Sequence, residues 1–159
     1  MMIKPRLAEI VGTIPTIKEI VSHPFPADNP SIPKGANTWN LPYLPDAIDG
    51  RTMIARRFKD DIVGNHFHPC IPGKNPERFL LIMGSVVFWF DDLFGDHLEI
   101  SLDADRLGPL EVHVPPYVLH GLEVVSSVAW FIEQQIGKFD PLICFSREEF
   151  VLLKDSLKE

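Results

Sequence analysis

Between residues 51 and 136 the chain is a succession of short runs of β-forming residues, most of them closed by Gly, Pro or Asp turns, and this punctuation constrains the fold more than any other feature. The runs fall at 51–58, 62–68, 77–83, 86–90, 97–102, 110–114, 120–125 and 128–136. Strand-length apolar segments with turn residues between them, and no helical period, predict an antiparallel barrel or sandwich. Gly84-Ser85, between two apolar arms, reads as a hairpin turn.

The two ends read differently. Eight of the fifteen prolines lie in the first 45 residues, most densely at Pro24, Pro26, Pro30, Pro33, Pro42 and Pro45. Proline fixes φ and removes a donor, so residues 1–50 are expected to form an extended arm with little regular structure. Thr16 and Glu19 have capping-box spacing, and Ile17, Ile20 and Val21 make a small apolar face, which predicts a short helix inside the arm. Trp39, Leu41, Tyr43 and Leu44 are apolar enough that the arm is expected to pack on its own barrel or on a partner subunit. At the other end, Ser146 and Glu149 repeat the capping-box spacing, followed by Phe150, Leu153 and Leu157 at helical intervals. The expected organisation is an arm over 1–50, a barrel over 51–145 and a C-terminal helix within 146–159.

A chain of 159 residues suffices for one domain with a sizeable core. The net charge of -7, with no basic cluster longer than Arg56-Arg57, argues against nucleic acid as a partner. Cys70 and Cys144 make no disulfide framework and fit a reducing compartment, leaving one bridge open. The N-terminus has no long apolar stretch, and the longest apolar run is broken at Gly84-Ser85. We therefore expect no signal peptide, no membrane partner and a cytoplasmic location.

His66 and His68 are one residue apart, so on a strand they face the same way, and His120 follows a Pro115-Pro116 turn. Two imidazoles on one strand face are half of a metal site, completed by a further histidine and a carboxylate on neighbouring strands. Taken together, these residues resemble the cupin superfamily. Its first motif, a His-x-His followed by a glutamate and a glycine, matches His66, His68, Glu77 and Gly84. Its second, a glycine, a proline turn and a histidine, matches Gly108, Pro115 and His120. The resemblance implies an all-β double-stranded β-helix, the jelly-roll barrel. It also implies a divalent metal (Fe, Mn, Ni or Zn) on His66, His68, Glu77 and His120, with an open position of the kind used in catalysis. Two departures stand out. Eight residues separate His68 from Glu77, more than the family usual, so Glu77 is either a ligand or a charge at the strand start. Tyr117 replaces the turn glycine, which is tolerable if its φ stays negative.

Without a metal, the same histidines would serve as acid–base groups, or line an inert pocket. Further pocket candidates are Arg57, Cys70, Tyr117, Phe131, Glu133 and Gln135. His97 and His113 are expected to be solvated, and Phe88-Trp89-Phe90 to lie in the core or a dimer interface. A weaker similarity, through residues 76–84, the Pro115–His120 turn and Phe139-Asp140-Pro141, is to cupins of surface-polysaccharide biosynthesis. That similarity implies an isomerase or epimerase of a carbohydrate or nucleotide-linked sugar. Two other functions stay open, an iron-dependent dioxygenase of a small organic acid and a non-catalytic small-ligand binding protein. A homodimer is expected, because an open barrel edge needs covering.

Overall fold

The structure is a computed structural model that describes residues 13–24, 50–70, 77–138 and 144–158. Among the described residues are ten strands, β1 (Val21–Pro24), β2 (Gly50–Phe58), β3 (Ile62–Phe67), β4 (Glu77–Met83), β5 (Ser85–Asp91), β6 (His97–Asp103), β7 (Leu110–Val114), β8 (Leu119–Val124), β9 (Val128–Lys138) and β10 (Phe145–Ser146), with two short helices, α1 (Ala104–Leu107) between β6 and β7 and α2 (Arg147–Ser156) after β10. They form two five-stranded antiparallel sheets, in the orders β1-β7-β4-β9-β2 and β10-β3-β8-β5-β6. This is the expected jelly roll. Among the described residues, no helix is long and apolar enough to cross a membrane.

Strand pleating puts alternate residues on opposite faces, and the inward set of each sheet makes the core. Phe79, Leu81, Val112, Val114 and Phe131 from the first sheet meet Val86, Phe88, Phe90, Leu122 and Val124 from the second. Phe88 and Phe90 are thus core, while Trp89 points outward and lies over Gly121, where an added Cβ would sit 2.2 Å from the indole. A second cluster lies outside the second sheet. There Phe150 and Leu153 of α2 cover Phe67, Leu119, Phe145 and Tyr117. The α2 capping box forms as expected, with Ser146 N–H donating to the Glu149 carboxylate at 2.7 Å. Leu157 is exposed, so the apolar stripe ends at Leu153.

Several expectations are corrected. Gly84-Ser85 is not a hairpin, because β4 pairs with β7 and β9 whereas β5 pairs with β6 and β8. The chain turns a corner there from one sheet to the other. Gly84 has φ 87°, and a Cβ on it would sit 2.3 Å from the Val128 carbonyl oxygen. The short helix after Thr16 is a single 3-10 turn, Ile17–Glu19, with its capping box intact. Within the arm, Val21–Pro24 forms a strand paired with β7, which the proline-based reading missed. Trp39, Leu41, Tyr43 and Leu44 lie outside the described residues.

Candidate functional site

His66 and His120 sit directly opposite each other on β3 and β8. The pairing depends on a bulge in β3, where the register shifts between Gly64 and His66 and Gly64 and Asn65 take φ of 90° and 62°. A bulge re-aims the residues that follow it, here turning His66 into the barrel. His68 comes just after β3, and its carbonyl accepts a hydrogen bond from the Tyr117 N–H at 2.8 Å. That bond ties the loop after the first two histidines to the turn before the third. Tyr117 takes φ 60°, the left-handed conformation, contrary to the negative φ expected of a non-glycine residue there.

Glu77 reaches the histidines in spite of the long loop. It opens β4 on the facing sheet and is fully inside the barrel. Its Oε2 lies 3.0 Å from His120 Nε2 and 3.4 Å from His68 Nε2. The His66 ring centroid is 4.9 Å from those of both His68 and His120. One ligand atom from each of His66, His68, Glu77 and His120 lies within 4.8 Å of all the others.

The tautomers follow from the hydrogen bonds. His120 Nδ1 is 3.0 Å from the Val118 carbonyl oxygen, which accepts only from N–H, so Nδ1 carries the proton. In a neutral ring Nε2 would then be a lone pair facing the Glu77 carboxylate at 3.0 Å, an acceptor against an acceptor. Only a positive centre, a proton or a metal cation, makes that contact favourable. His66 repeats the arrangement. It bonds to the Gly64 backbone, while its Nε2 is buried without a hydrogen-bond partner.

The electrostatics agree. Burial would raise the Glu77 pKa, but the His120 and His68 imidazoles outweigh it and hold the carboxyl well below the usual range. Burial would lower the His120 pKa, but Glu77, with a smaller contribution from Glu133, outweighs it and raises the ring above its ordinary value. His66 is pushed down to about 4, first by burial and then by the charges on His120 and His68. At neutral pH His66 is a neutral imidazole with a lone pair on offer, a poor Brønsted base and a good ligand. The donor set of three imidazoles and one carboxylate, with opposed acceptors and a buried orphan nitrogen, fits a divalent cation.

Beside His66 and His120 lies a cavity of about 20 Å³, walled by Val63, Gly64, Phe79, Phe88, Gly121, Leu122 and Glu133. Glu133 is thus placed at the site. Arg57, Cys70, Tyr117 and Phe131 do not line this cavity. Arg57 pairs with Ala129 near the opposite end of β2, and its guanidinium donates to the Arg56 carbonyl. Cys70 packs against the cluster beneath α2 and is not bridged to Cys144. The Tyr117 side chain is buried in that same cluster, and Phe131 packs in the core with Phe79. The side chain of Gln135 lies outside the described set. His97 is exposed and pairs with Asp91 at 2.7 Å. His113 is half-buried against Glu111 at 3.2 Å instead of solvated, and Arg78 also contacts that carboxylate. Sequence reasoning missed Phe79, whose ring stands 6.0 Å from that of His120. Its position two residues after Glu77, on the same strand face, was the available signal.

No protein-family model matches the chain, and no curated protein does. Solved structures do. The capsular polysaccharide assembling protein CapF from Staphylococcus aureus superposes with a TM-score of 0.52 at 24% identity, over 61% of this chain and 28% of that one. ChmJ, a 3'-monoepimerase from Streptomyces bikiniensis in complex with dTDP-quinovose, gives 0.53 at 16% identity, over 60% and 50%. A dTDP-4-dehydrorhamnose 3,5-epimerase from Bacillus anthracis gives 0.51 at 16% identity, over 59% and 56%. The match therefore takes in between 28% and 56% of the length of these structures. At these identities the likeness establishes the fold alone, the jelly-roll barrel.

Proposed function

We propose that the chain is a metal-binding cupin enzyme that moves a proton on a carbon next to a carbonyl, in a small polar substrate of the carbohydrate or nucleotide-sugar class. The observation that carries this reading is the Glu77 carboxylate held 3.0 Å from His120 Nε2 while Nδ1 of the same ring is committed to the Val118 carbonyl. His66, His68, Glu77 and His120 would hold one divalent cation, which when bound acts as a Lewis acid on a carbonyl oxygen. The chain's own residues do the rest. The Val118 carbonyl fixes the His120 tautomer and aims Nε2 at the centre. Phe79, Phe88 and Leu122 keep bulk water from the inner side of the cluster. The cavity has room for about one water-sized group, so a sugar ring has to engage the cluster from outside this cavity. The fold shared with sugar-nucleotide epimerases is what favours the carbohydrate class, by analogy of fold.

The test has two parts. Elemental analysis of untagged, chelator-free protein should find close to one equivalent of a first-row metal, absent from His66→Ala and His120→Ala. Incubation with nucleotide-linked 4-keto sugars in D2O should then incorporate deuterium next to the carbonyl. Stoichiometric metal retained by both variants would overturn the site, and no exchange on any keto-sugar would overturn the reaction. A second reading, an iron-dependent dioxygenase of a small organic acid, is favoured by one feature. The cavity beside His66 and His120 is walled mainly by apolar groups and suits a small apolar molecule such as dioxygen. Substrate-dependent oxygen uptake separates it from the first. Saturable ligand binding with neither exchange nor uptake would mark a binding protein.

A further inference from the structure

His66 and His120 are aimed by backbone that carries no side chains of its own. The residue after His120 is Gly121, and it pairs across the ladder with Gly64, where the β3 bulge begins. The His66 ring is hydrogen-bonded to the Gly64 backbone, and the His120 ring to the Val118 carbonyl. The course of these two strands therefore decides where both Nε2 atoms point. The strands are tightly apposed, since a Cβ on Gly64 would sit 2.9 Å from both the Gly121 Cα and the His120 carbonyl oxygen. Cross-strand side-chain pairs normally hold a register, and a glycine pair has none. Gly64 and Asn65 add left-handed φ of 90° and 62°. Glycine tolerates that conformation freely and asparagine only at some cost, so this stretch of ladder is weakly specified by its own residues.

The missing contact comes from the next strand. Trp89 on β5 pairs with Gly121 from the other side, so Trp89, Gly121 and Gly64 form one row across β5, β8 and β3. Trp89 stands on the outer face of the sheet, half-buried. Its six-membered ring occupies the place of a Gly121 side chain. A Cβ there would lie 2.2 Å from Cζ2, 2.7 Å from Cε2 and 2.9 Å from Cη2. An aromatic ring laid over a cross-strand glycine replaces the absent side chain and helps to pin the register. At Gly121, β8 thus has the indole on its outer face, while Leu122 and Val124 anchor it to the core on the inner face. Phe88 and Phe90, on the opposite pleat of β5, fill that core, so the indole is not required there.

We infer that Trp89 is a positioning residue for the histidine cluster: its indole, laid over Gly121, holds the Gly64–Gly121 pair in register and with it the bulge that turns His66 towards His120. For the metal, this rests on the function proposed above; for the strands, it does not. The test compares the full chain with Trp89→Leu, which keeps an apolar cover but no flat ring, and Trp89→Phe, which keeps a ring. In metal-free protein, amide hydrogen exchange within residues 62–67 and 119–124 should be at least about tenfold faster in the leucine variant, with phenylalanine in between and β4 and β7 unchanged. Zn2+ affinity, from competition with a chromophoric chelator, should fall at least about tenfold in the leucine variant and by less in the phenylalanine variant. Unchanged exchange in the two segments, or a rise spread evenly over both sheets, would overturn the inference. So would faster local exchange with unchanged affinity in a wild type that binds Zn2+, since the ring would then serve the strands and not the site. If wild type bound no metal, the proposed function would fall, while exchange confined to the two segments would still uphold the role of the ring in aiming the histidines. Should the leucine variant not fold, Trp89→Phe against wild type decides by the same local pattern, at no less than about twofold.

Discussion

Replacing Glu77 with glutamine keeps the shape of the side chain and removes its charge, which separates the two ways of making the Glu77–His120 contact favourable. At an effective dielectric of about 20, unit charges 3.0 Å apart attract by about 5 kcal/mol. In metal-free Glu77→Gln that attraction is gone, but His120 is then able to shed its proton. The neutral ring, with Nδ1 still on Val118, accepts a hydrogen bond at Nε2 from the new amide. The two changes largely offset, so the expected loss of stability at pH 7 is about 1–2 kcal/mol, below the 3–5 kcal/mol of a stranded buried charge. A metal has no such compensation, since an uncharged amide oxygen replaces a carboxylate. Affinity should fall at least about 100-fold, or about 2.7 kcal/mol. Urea melts of chelator-treated protein give the first quantity, and competition against a chromophoric chelator gives the second. A variant that holds metal as tightly as wild type would refute the ligand role. A metal-free variant that loses more than about 3 kcal/mol would refute the proton bookkeeping.

Three further outcomes follow from the geometry. His66, with its pKa lowered from 6.5 to about 4, stays neutral in the fold while the unfolded chain takes up a proton. Its contribution is present above pH 6.5 and is lost as pH falls towards 4, amounting to roughly 3 kcal/mol. Urea melts of metal-free protein across this range should therefore be steeper for wild type than for His66→Leu, and equal slopes would contradict the burial argument. Gly64→Ala places a Cβ 2.9 Å from both the Gly121 Cα and the His120 carbonyl oxygen, at φ 90°. About 1–3 kcal/mol of destabilisation with weakened metal retention is expected, and an unchanged Tm and metal content would show that the bulge tolerates a side chain. Asp92 is 0% exposed, and its carboxylate accepts from the N–H groups of Phe94, Gly95, Asp96 and Ile17. Asp92→Ala should cost about 3 kcal/mol, because several of these donors lose a charged acceptor, with a loss below about 1 kcal/mol counting against the network.

Much of this fold is legible locally. Runs of β-forming, largely apolar residues mark the strands, and β4, β7 and most of β9 fall where the pattern puts them. The C-terminal helix is written in Ser146, Glu149, Phe150 and Leu153, whose cap and apolar spacing operate within a few residues of chain. His66 and His68 share a face for the same reason, since side-chain direction on a strand has a period of two. Each of these signals is short-range, and tertiary packing leaves it in place.

What sequence spacing does not determine is which strands become neighbours. Gly84-Ser85 has the look of a hairpin, but inward-facing side chains on both arms are equally satisfied when the arms part into facing sheets. Two filled faces are what a jelly roll needs. Distance along the chain made Glu77 look remote from His68. Across the barrel the two are 3.4 Å apart, because β4 lies on the sheet opposite β3 and the intervening loop has only to reach it. Arg57, on the same pleat as Ala55, was placed by direction but not by height, and it stands at the far end of its strand. Tyr117 takes a left-handed φ because the turn must bring its N–H to the His68 carbonyl, a demand made by the partner loop rather than by tyrosine itself. By itself the sequence determined the strands between 51 and 136, the final helix and the side-chain types that meet in the barrel, but not β1 or β10. The positions of Glu77, Phe79 and Glu133 around the histidines were decided only by the tertiary structure, because pairing across sheets depends on burying whole faces, and no local pattern encodes the partner.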